Sequence, residues 1–92
     1  MFIAYPCVFK ELPDGTWRGD FPDLEGCYAD GPCFNDAIED AIEQVRLWVR
    51  ARLEEDDDVN LPGVTDIELM KPAEGEVIRM IGATVYTTDS PY

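Results

Sequence analysis

Carboxylates dominate the chemistry that this chain could perform. Its 92 residues include 20 Asp and Glu, 7 Lys and Arg, and no histidine. Without histidine the commonest general base is missing, and so are the Ser–His and Cys–His pairs of nucleophilic enzymes. The sequence also contains no glycine-rich phosphate loop and no Cys/His cluster with metal-ligand spacing. Metal chemistry based on Asp and Glu is therefore the type of catalysis left to consider.

One acidic run resembles the start of a calcium-binding loop. Asp56, Asp58 and Asn60 alternate along the chain as the first ligands of such a loop do. The sixth position, where glycine makes the sharp turn, is Leu61, and the twelfth, where a bidentate glutamate belongs, is Ile67. We therefore interpret the run as a solvated acidic loop.

A two-metal nuclease site would need carboxylates that converge from neighbouring strands and a helix. The apolar segments 2–9 and 77–87 contain no carboxylate. The acids lie instead in turn segments and on the polar side of a helical pattern. The sequence thus predicts a protein that is not an enzyme and that holds no metal or other cofactor.

The net charge of −13 bears on the partner. So acidic a chain repels phosphate backbones, which disfavours nucleic acid, and it attracts basic protein surfaces. Improved solubility is the simpler explanation of the charge. No membrane-spanning segment is visible in the sequence.

The three cysteines, Cys7, Cys27 and Cys33, are odd in number and lack CxxC spacing. With no signal peptide in view, they are predicted to be reduced thiols in a cytoplasmic protein, placed in the core or in strands. A length of 92 residues predicts a single domain.

Strand and turn signals alternate in the first third of the chain. Pro6 cannot donate to a ladder, so we expect it at an edge, a bulge or an unpaired site. Residues 11–15 contain Asp-Gly and predict a turn. Gly19 suggests a bulge or a close backbone approach. Four strands are expected over residues 2–9, 16–21, 27–30 and 76–87.

The sequence predicts a long helix from Phe34 to Leu53. Its apolar residues follow the 3.6-residue period, with acids near the start and bases near the end, which suits the helix dipole. The apolar stripe consists of Phe34, Ile38, Ala41, Ile42, Val45, Trp48, Val49 and Leu53. The five acids Glu54 to Asp58 should end or fray this helix.

The order of elements predicts an α+β fold, a single βββ–α–β domain over residues 1–92 with an antiparallel-rich sheet and one long amphipathic helix on one face. The last strand is apolar on both sides, which favours an interior position. Residues 65–70 could be a short strand or an irregular segment. Trp17, Phe21, Phe34 and Trp48 are expected in the core, whereas Tyr28 and Tyr86 remain ambiguous.

Residues 21–27, Phe-Pro-Asp-Leu-Glu-Gly-Cys, resemble the F-P-D-L-P-G-C motif of the HicB antitoxin family. The resemblance extends upstream to residues 5–9 and downstream to residues 30–38, 61–62 and 82–86. Glu25 replaces the second proline of the motif, and Cys33 stands where a threonine usually caps the helix. Many members continue into a DNA-binding domain; on this sequence we expect none before Tyr92.

The resemblance implies a partial RNase H-like fold without the nuclease site. It also implies an antitoxin that binds and neutralises HicA, a small basic toxin that cleaves mRNA. We expect the domain to cover the basic RNA-binding face of the toxin with exposed acids and aromatic residues near the turns. The candidate contact residues are Asp14, Trp17, Asp20, Asp23, Glu25, Tyr28 and Asp30.

Two alternatives stay open at this point. The chain could be an orphan HicB-like protein-interaction module, or it could be a small-molecule sensor domain, each without a toxin partner. In all three cases a homodimer or a higher homo-oligomer is expected, because a small open sheet has edges to protect.

Overall fold

The computed structural model describes residues 2–55 and 61–85. The elements follow the order β1 (Phe2–Glu11), β2 (Trp17–Asp20), β3 (Tyr28–Gly31), α1 (Phe34–Glu55), a 3₁₀ turn η1 (Ile67–Leu69) and β4 (Glu76–Thr84). The predicted α+β fold with βββ–α–β order is confirmed. Residues 65–70 contain the 3₁₀ turn rather than a strand. The calcium-loop look-alike at 56–60 and Tyr86 lie outside the described residues.

The turn between β1 and β2 is built by its own side chains. The carboxylate of Asp14 accepts hydrogen bonds from the N–H of Thr16 at 3.0 Å and from its hydroxyl at 2.6 Å. Gly15 has a φ of 88°, a left-handed conformation that glycine adopts at little cost. These contacts explain why the Asp-Gly pair reverses the chain here.

The four strands form one antiparallel sheet in the order β3-β2-β1-β4. β4 is therefore an outer strand, and the expectation of an interior strand is wrong. Its apolar residues on the helix side, Ile81 and Ala83, are buried in the core. Those on the opposite side include Met80, which is 42 % exposed. An apolar pattern on both sides thus reflects a core face and an exposed apolar face.

Hydrogen bonds in an antiparallel ladder alternate between the two sides of each strand. The N–H of Leu12 donates to the carbonyl of Thr16 at 2.7 Å and continues the β1–β2 ladder. Even-numbered residues of β1 therefore direct their backbone groups towards β2, and odd-numbered residues direct theirs towards β4. By the β1–β4 register, the even-numbered residues of β4 direct their backbone groups away from the sheet.

This alternation explains why a proline, Pro6, is tolerated within β1. It lies within β1 opposite Met80, and its nitrogen faces the β2 side. The β1–β2 pairing has already ended at Val8 and Asp20, so no ladder bond is lost there. The expectation of an unpaired site for Pro6 is confirmed.

The core lies between α1 and one face of the sheet. The helix presents its small residues Ala37 and Ala41 near its start and Val45 and Val49 further on, all fully buried. The sheet and the turn after β2 contribute Ile3, Tyr5, Cys7, Phe9, Phe21, Leu24, Cys27, Ala29, Ile81 and Ala83. Cys33, in contrast, is exposed just before the helix, so its predicted place in the core or a strand is wrong.

Two glycines allow close approach in this core. A Cβ at Gly19 would lie 2.7 Å from Cε1 of Phe9 and 2.8 Å from the sulfur of Cys7. A Cβ at Gly31 would lie 2.5 Å from the backbone nitrogen of Ala37. The prediction of a close approach at Gly19 is confirmed, and Gly31 lets β3 meet the first turn of α1.

Candidate partner-binding surface

The turn at residues 21–27 is held by burial at every third residue. Phe21, Leu24 and Cys27 are all buried. The N–H of Leu24 donates to the carbonyl of Phe21, and the N–H of Cys27 donates to that of Leu24, both at 3.1 Å. Gly26 has a φ of 78° and turns the chain back towards β3. This segment is thus a compact structural turn.

The two acids of this turn are tied to other parts of the chain. The carboxylate of Asp23 accepts hydrogen bonds from the N–H of Thr65 at 2.8 Å and from its hydroxyl at 2.6 Å. The carbonyl of Glu25 accepts one from Nε1 of Trp48 at 2.9 Å. Asp23 therefore fastens the segment after the helix, and the backbone of Glu25 anchors an aromatic residue of α1.

A second group of candidate residues lies on the sheet face opposite the helix. Strand alternation places Arg18 and Asp20 of β2, with Tyr28 and Asp30 of β3, on this face, where all four are exposed. The register pairs Arg18 with Asp30 and Asp20 with Tyr28. These four residues are called the β2–β3 surface below.

Arg18 organises the β2–β3 surface. Its Nε lies 3.2 and 3.3 Å from the two carboxylate oxygens of Asp20, and its Nη2 lies 3.2 Å from Oδ1. Its guanidinium also lies 4.3 Å from the centre of the Tyr28 ring. Hydrogen bonding and charge from Asp20 raise the pKa of Arg18. Arg18 therefore holds an acid and an aromatic ring side by side.

A cleft adjoins this surface at the end of the β1–β2 hairpin. Its volume is about 370 Å³, and it is lined by Leu12, Thr16, Arg18, Asp30, Gly31 and Pro32. Asp14 lies in the turn of the same hairpin, and the hydrogen bonds from Thr16 lower its pKa. The cleft thus has the carboxylate of Asp30 in its lining, and the Asp14 turn lies at the end of the same hairpin.

The seven candidate contact residues do not form one patch. Asp20, Tyr28 and Asp30 lie together, and Asp14 lies at the hairpin end. Trp17 points to the helix side, where its ring is half-buried 4.9 Å from that of Phe34. Asp23 and Glu25 belong to the turn at 21–27. Arg18 was not among the candidates, although its spacing from Asp20 and Tyr28 on paired strands could have indicated it.

Within residues 2–55 and 61–85, no group of three or more His, Cys, Asp or Glu side chains could hold a metal ion. No helix in the same ranges is long and apolar enough to cross a membrane. The β2–β3 surface presents charged and aromatic groups on two short neighbouring strands.

Residues 5–87 match the sequence model of a family described as HicB-like antitoxin of bacterial toxin–antitoxin systems. This chain belongs to that family. The match covers most of the chain, including the turn at 21–27 and the two outer strands, β3 and β4. It confirms the resemblance seen in the sequence. A search among curated proteins finds no match to the chain.

Solved structures share the fold of this HicB-like chain. A toxin–antitoxin complex from Streptococcus pneumoniae has a chain with a TM-score of 0.78 and 22 % identity, covering 100 % of this chain and 78 % of its own. The N-terminal domain of the Burkholderia pseudomallei antitoxin HicB matches with a TM-score of 0.74 and 22 % sequence identity. The match covers 86 % of this chain and 95 % of that domain. A chain of a HicA3–HicB3 toxin–antitoxin complex matches with a TM-score of 0.66 and 23 % sequence identity. The match covers 91 % of this chain and 99 % of that one.

Proposed function

We propose that this HicB-like antitoxin neutralises a small, basic HicA-type toxin by binding it, with no catalytic step of its own. Family membership supports the role of an antitoxin in a toxin–antitoxin pair. The fold likeness to a HicA3–HicB3 complex supports the class of partner. The three free cysteines favour the cytoplasm as the compartment of this protein. The single core cluster, to which both the sheet and α1 contribute, favours one domain.

The observation that carries the proposed mode of binding is the β2–β3 surface. A toxin that cleaves RNA needs a positive surface for phosphate groups, and a chain of net charge −13 is attracted to such a surface. Asp20 and Asp30 present carboxylates on two neighbouring strands, and Tyr28 between them is 48 % exposed. Exposed tyrosine next to charged groups is typical of binding surfaces.

Arg18 gives this surface a fixed shape. Its bonds to Asp20 and its contact with Tyr28 restrict both side chains before a partner arrives. Less side-chain freedom is then lost on binding. We propose that the toxin contacts Asp20, Tyr28 and Asp30 first, with Asp14 at the margin, and that the inhibition is steric.

Charge reversal tests this proposal. We expect the double substitution Asp20→Lys and Asp30→Lys to weaken toxin binding by roughly tenfold or more and to relieve the inhibition of RNA cleavage, because like charges then meet at the interface. The matched control is Asp36→Lys with Glu39→Lys, two exposed acids of α1 that undergo the same change in net charge.

The measurements are the Kd by calorimetry and the rate of RNA cleavage with increasing antitoxin. An equal loss of toxin affinity in both double variants would show that binding depends only on the net charge of the chain. It would remove the β2–β3 surface from the proposal. Unchanged inhibition in both would remove the electrostatic mechanism as well.

A further inference from the structure

β4 leaves a row of backbone groups open along the outer side of the sheet. The strand has nine residues, from Glu76 to Thr84, and it pairs with β1 alone among the described residues. The alternation described above directs the N–H and C=O groups of its even-numbered residues away from β1. An open edge of this kind is a template for another strand.

Both ends of this edge are already occupied. At one end, the N–H of Glu76 donates to the carbonyl of Ala73 at 3.0 Å. At the other end, the carbonyl of Thr84 accepts a hydrogen bond from Nε of Arg46 in α1 at 3.3 Å. Among the described residues, the open part of the edge is therefore its middle, formed by Ile78, Met80 and Gly82. The carbonyl of Ile78 already accepts one hydrogen bond, from Nη1 of Arg79 at 3.1 Å, and its second lone pair is left for a partner strand.

Apolar side chains lie beside this open middle. Met80 is 42 % exposed and Phe2 is 71 % exposed, both on the sheet face opposite the helix. A Cβ at Gly82 would lie 2.6 Å from Cζ of Phe2, so the Phe2 ring covers the glycine. An adjoining strand would find an apolar aromatic surface at this point of the edge.

Charge favours a second copy of this chain as the occupant. Two chains of net charge −13 can approach each other only through a surface that is poor in acids. β4 has one acid, Glu76, at its first residue. The opposite edge strand, β3, has four residues, carries Asp30, and has the carboxylate of Asp40 bound to the N–H of that residue. Self-pairing through β3 would bring these carboxylates together.

We propose that two copies of this chain pair antiparallel through β4, about a twofold axis at Met80, to form a continuous eight-stranded sheet. In this register Met80 faces Met80 of the second copy, and Ile78 faces its Gly82. Six N–H···O=C bonds then form in the middle of the edge: two between the two Met80 residues and two in each of the two Ile78–Gly82 pairs.

The ends of β4 fit the same register. Glu76 of one copy lies opposite Thr84 of the other. The N–H of Glu76 and the C=O of Thr84, which would face each other, both have partners within their own chain. Neither group is left unsatisfied. Moving the axis to Arg79 would place two guanidinium groups directly opposite each other, which disfavours that register.

Side-chain packing supports the axis at Met80. Ile78 of the second copy lies next to Gly82, where the Phe2 ring fills the space above the missing side chain. Aromatic and β-branched neighbours across strands stabilise a sheet. The two exposed residues Phe2 and Met80 would each lose exposed apolar area to side chains of the second copy. The pairing thus accounts for the open backbone edge and for the apolar residues beside it.

The test measures the molar mass of the 92-residue chain by analytical ultracentrifugation, with no toxin present. The wild-type chain is expected at twice the chain mass. Met80→Lys and Met80→Glu, each alone, are expected at the mass of one chain because like charges meet at the axis. An equimolar mixture of these two variants is expected to return to twice the chain mass, since lysine then faces glutamate. Leu47→Lys, at a 49 % exposed leucine of α1, is the control and should stay dimeric.

A monomeric wild-type chain would overturn the proposal, and so would a Met80→Lys chain that stays dimeric. A mixture that fails to pair while the wild type is dimeric would overturn the register at Met80. Circular dichroism of each variant keeps misfolding separate from dissociation. Because no toxin enters these measurements, their outcome is independent of the toxin-binding test on the β2–β3 surface.

Discussion

The carboxylate of Asp40 in α1 accepts a 3.0 Å hydrogen bond from the backbone N–H of Asp30 in β3. That N–H points away from β2, because the Phe21–Cys27 bond fixes which residues of β3 face their neighbour. At the other side of the sheet, Arg46 binds the carbonyl of Thr84 in the same way. Side chains of one helix therefore contact both outer strands and give a hydrogen-bond partner to one backbone group on each edge of the sheet.

The first prediction concerns the Asp40–Asp30 bond. Substitution Asp40→Ala should speed amide exchange at Asp30, because its N–H then depends on water alone. The loss in unfolding free energy should be about 1 kcal/mol or less, since the site is exposed to solvent. Hydrogen exchange followed by NMR measures the first effect, and urea unfolding measures the second.

Glu39→Ala provides the control for this change. It removes a carboxylate from the neighbouring residue of α1, which is exposed. Amide exchange at Asp30 should remain as in the wild type. Equal acceleration in both variants would show that net charge, and not the hydrogen bond, protects this amide.

The second prediction concerns Gly19, whose position is enclosed by Phe9 and Cys7. Both neighbours are fully buried, so they cannot move aside easily for a methyl group. Gly19→Ala should lower the unfolding free energy by about 1–3 kcal/mol, as overpacked cores do. Each kcal/mol corresponds to a fall of about 4–8 °C in Tm for a domain of this size.

Gly63→Ala is the matched control for Gly19→Ala. A Cβ at Gly63 has nothing within 4 Å. Its Tm should stay close to that of the wild type, because an exposed substitution without contacts changes stability by about 0.5 kcal/mol or less. A Tm for Gly19→Ala equal to that of Gly63→Ala would contradict the close approach.

Much of the fold was predictable because local signals and tertiary packing agree. The apolar stripe of α1 faces the core, with Ala41 and Val45 fully buried as its period requires. The position of β4 was not predictable from its own pattern. An apolar face such as that of Met80 has the same sequence pattern whether a helix, a second sheet or solvent lies next to it.

The candidate site was predictable in part for a related reason. Asp20, Tyr28 and Asp30 are near in sequence, and strand pairing brings them together. Asp23 has the same residue type and a similar position, but its partner Thr65 lies 42 residues away. A contact over that distance leaves no local signal. The acid that anchors the fold and the acids of the β2–β3 surface therefore look alike in sequence.

The third prediction isolates the contact between Asp23 and Thr65. Asp23→Ala removes both hydrogen bonds, whereas Thr65→Val removes only the bond from the hydroxyl. In a double-mutant cycle the two substitutions should couple by about 0.5–1.5 kcal/mol, the usual value of such a bond. Urea unfolding supplies the four free energies. The pair Asp23→Ala and Val64→Ala should be additive, and additivity in both pairs would show that the hydroxyl bond contributes nothing.

The fourth prediction uses the three free cysteines. Cys7 and Cys27 are buried, and Cys33 is exposed before the helix. Burial raises the pKa of Cys7 to about 12 and that of Cys27 to about 11. The thiolate is the reactive form, so both should resist alkylation in the native state. Mass spectrometry should find one rapidly alkylated thiol, and Cys33→Ser should abolish it. Fast labelling at two or three cysteines would contradict the burial of Cys7 and Cys27.

The fifth prediction is an alkaline loss of stability caused mainly by Cys7. In the unfolded chain its thiol ionises near the ordinary pKa of 9.0, whereas burial, with smaller contributions from Asp20 and Cys27, raises its pKa to about 12 in the fold. The unfolded state therefore binds fewer protons above pH 9, and the free energy of unfolding falls as pH rises. The fall should approach 1.4 kcal/mol per pH unit for one thiol. Cys27 and Tyr5, whose pKa values are also raised, change stability in the same direction.

Urea unfolding from pH 8 to pH 11 measures this slope. Cys7→Ala should lower stability at pH 8 through lost packing, but its curve should fall less steeply with pH than that of the wild type. Cys33→Ala, at an exposed position, should retain the wild-type slope. If Cys7→Ala and the wild type fall in parallel over this range, the thiol of Cys7 ionises equally in both states, and its burial would have no effect on alkaline stability.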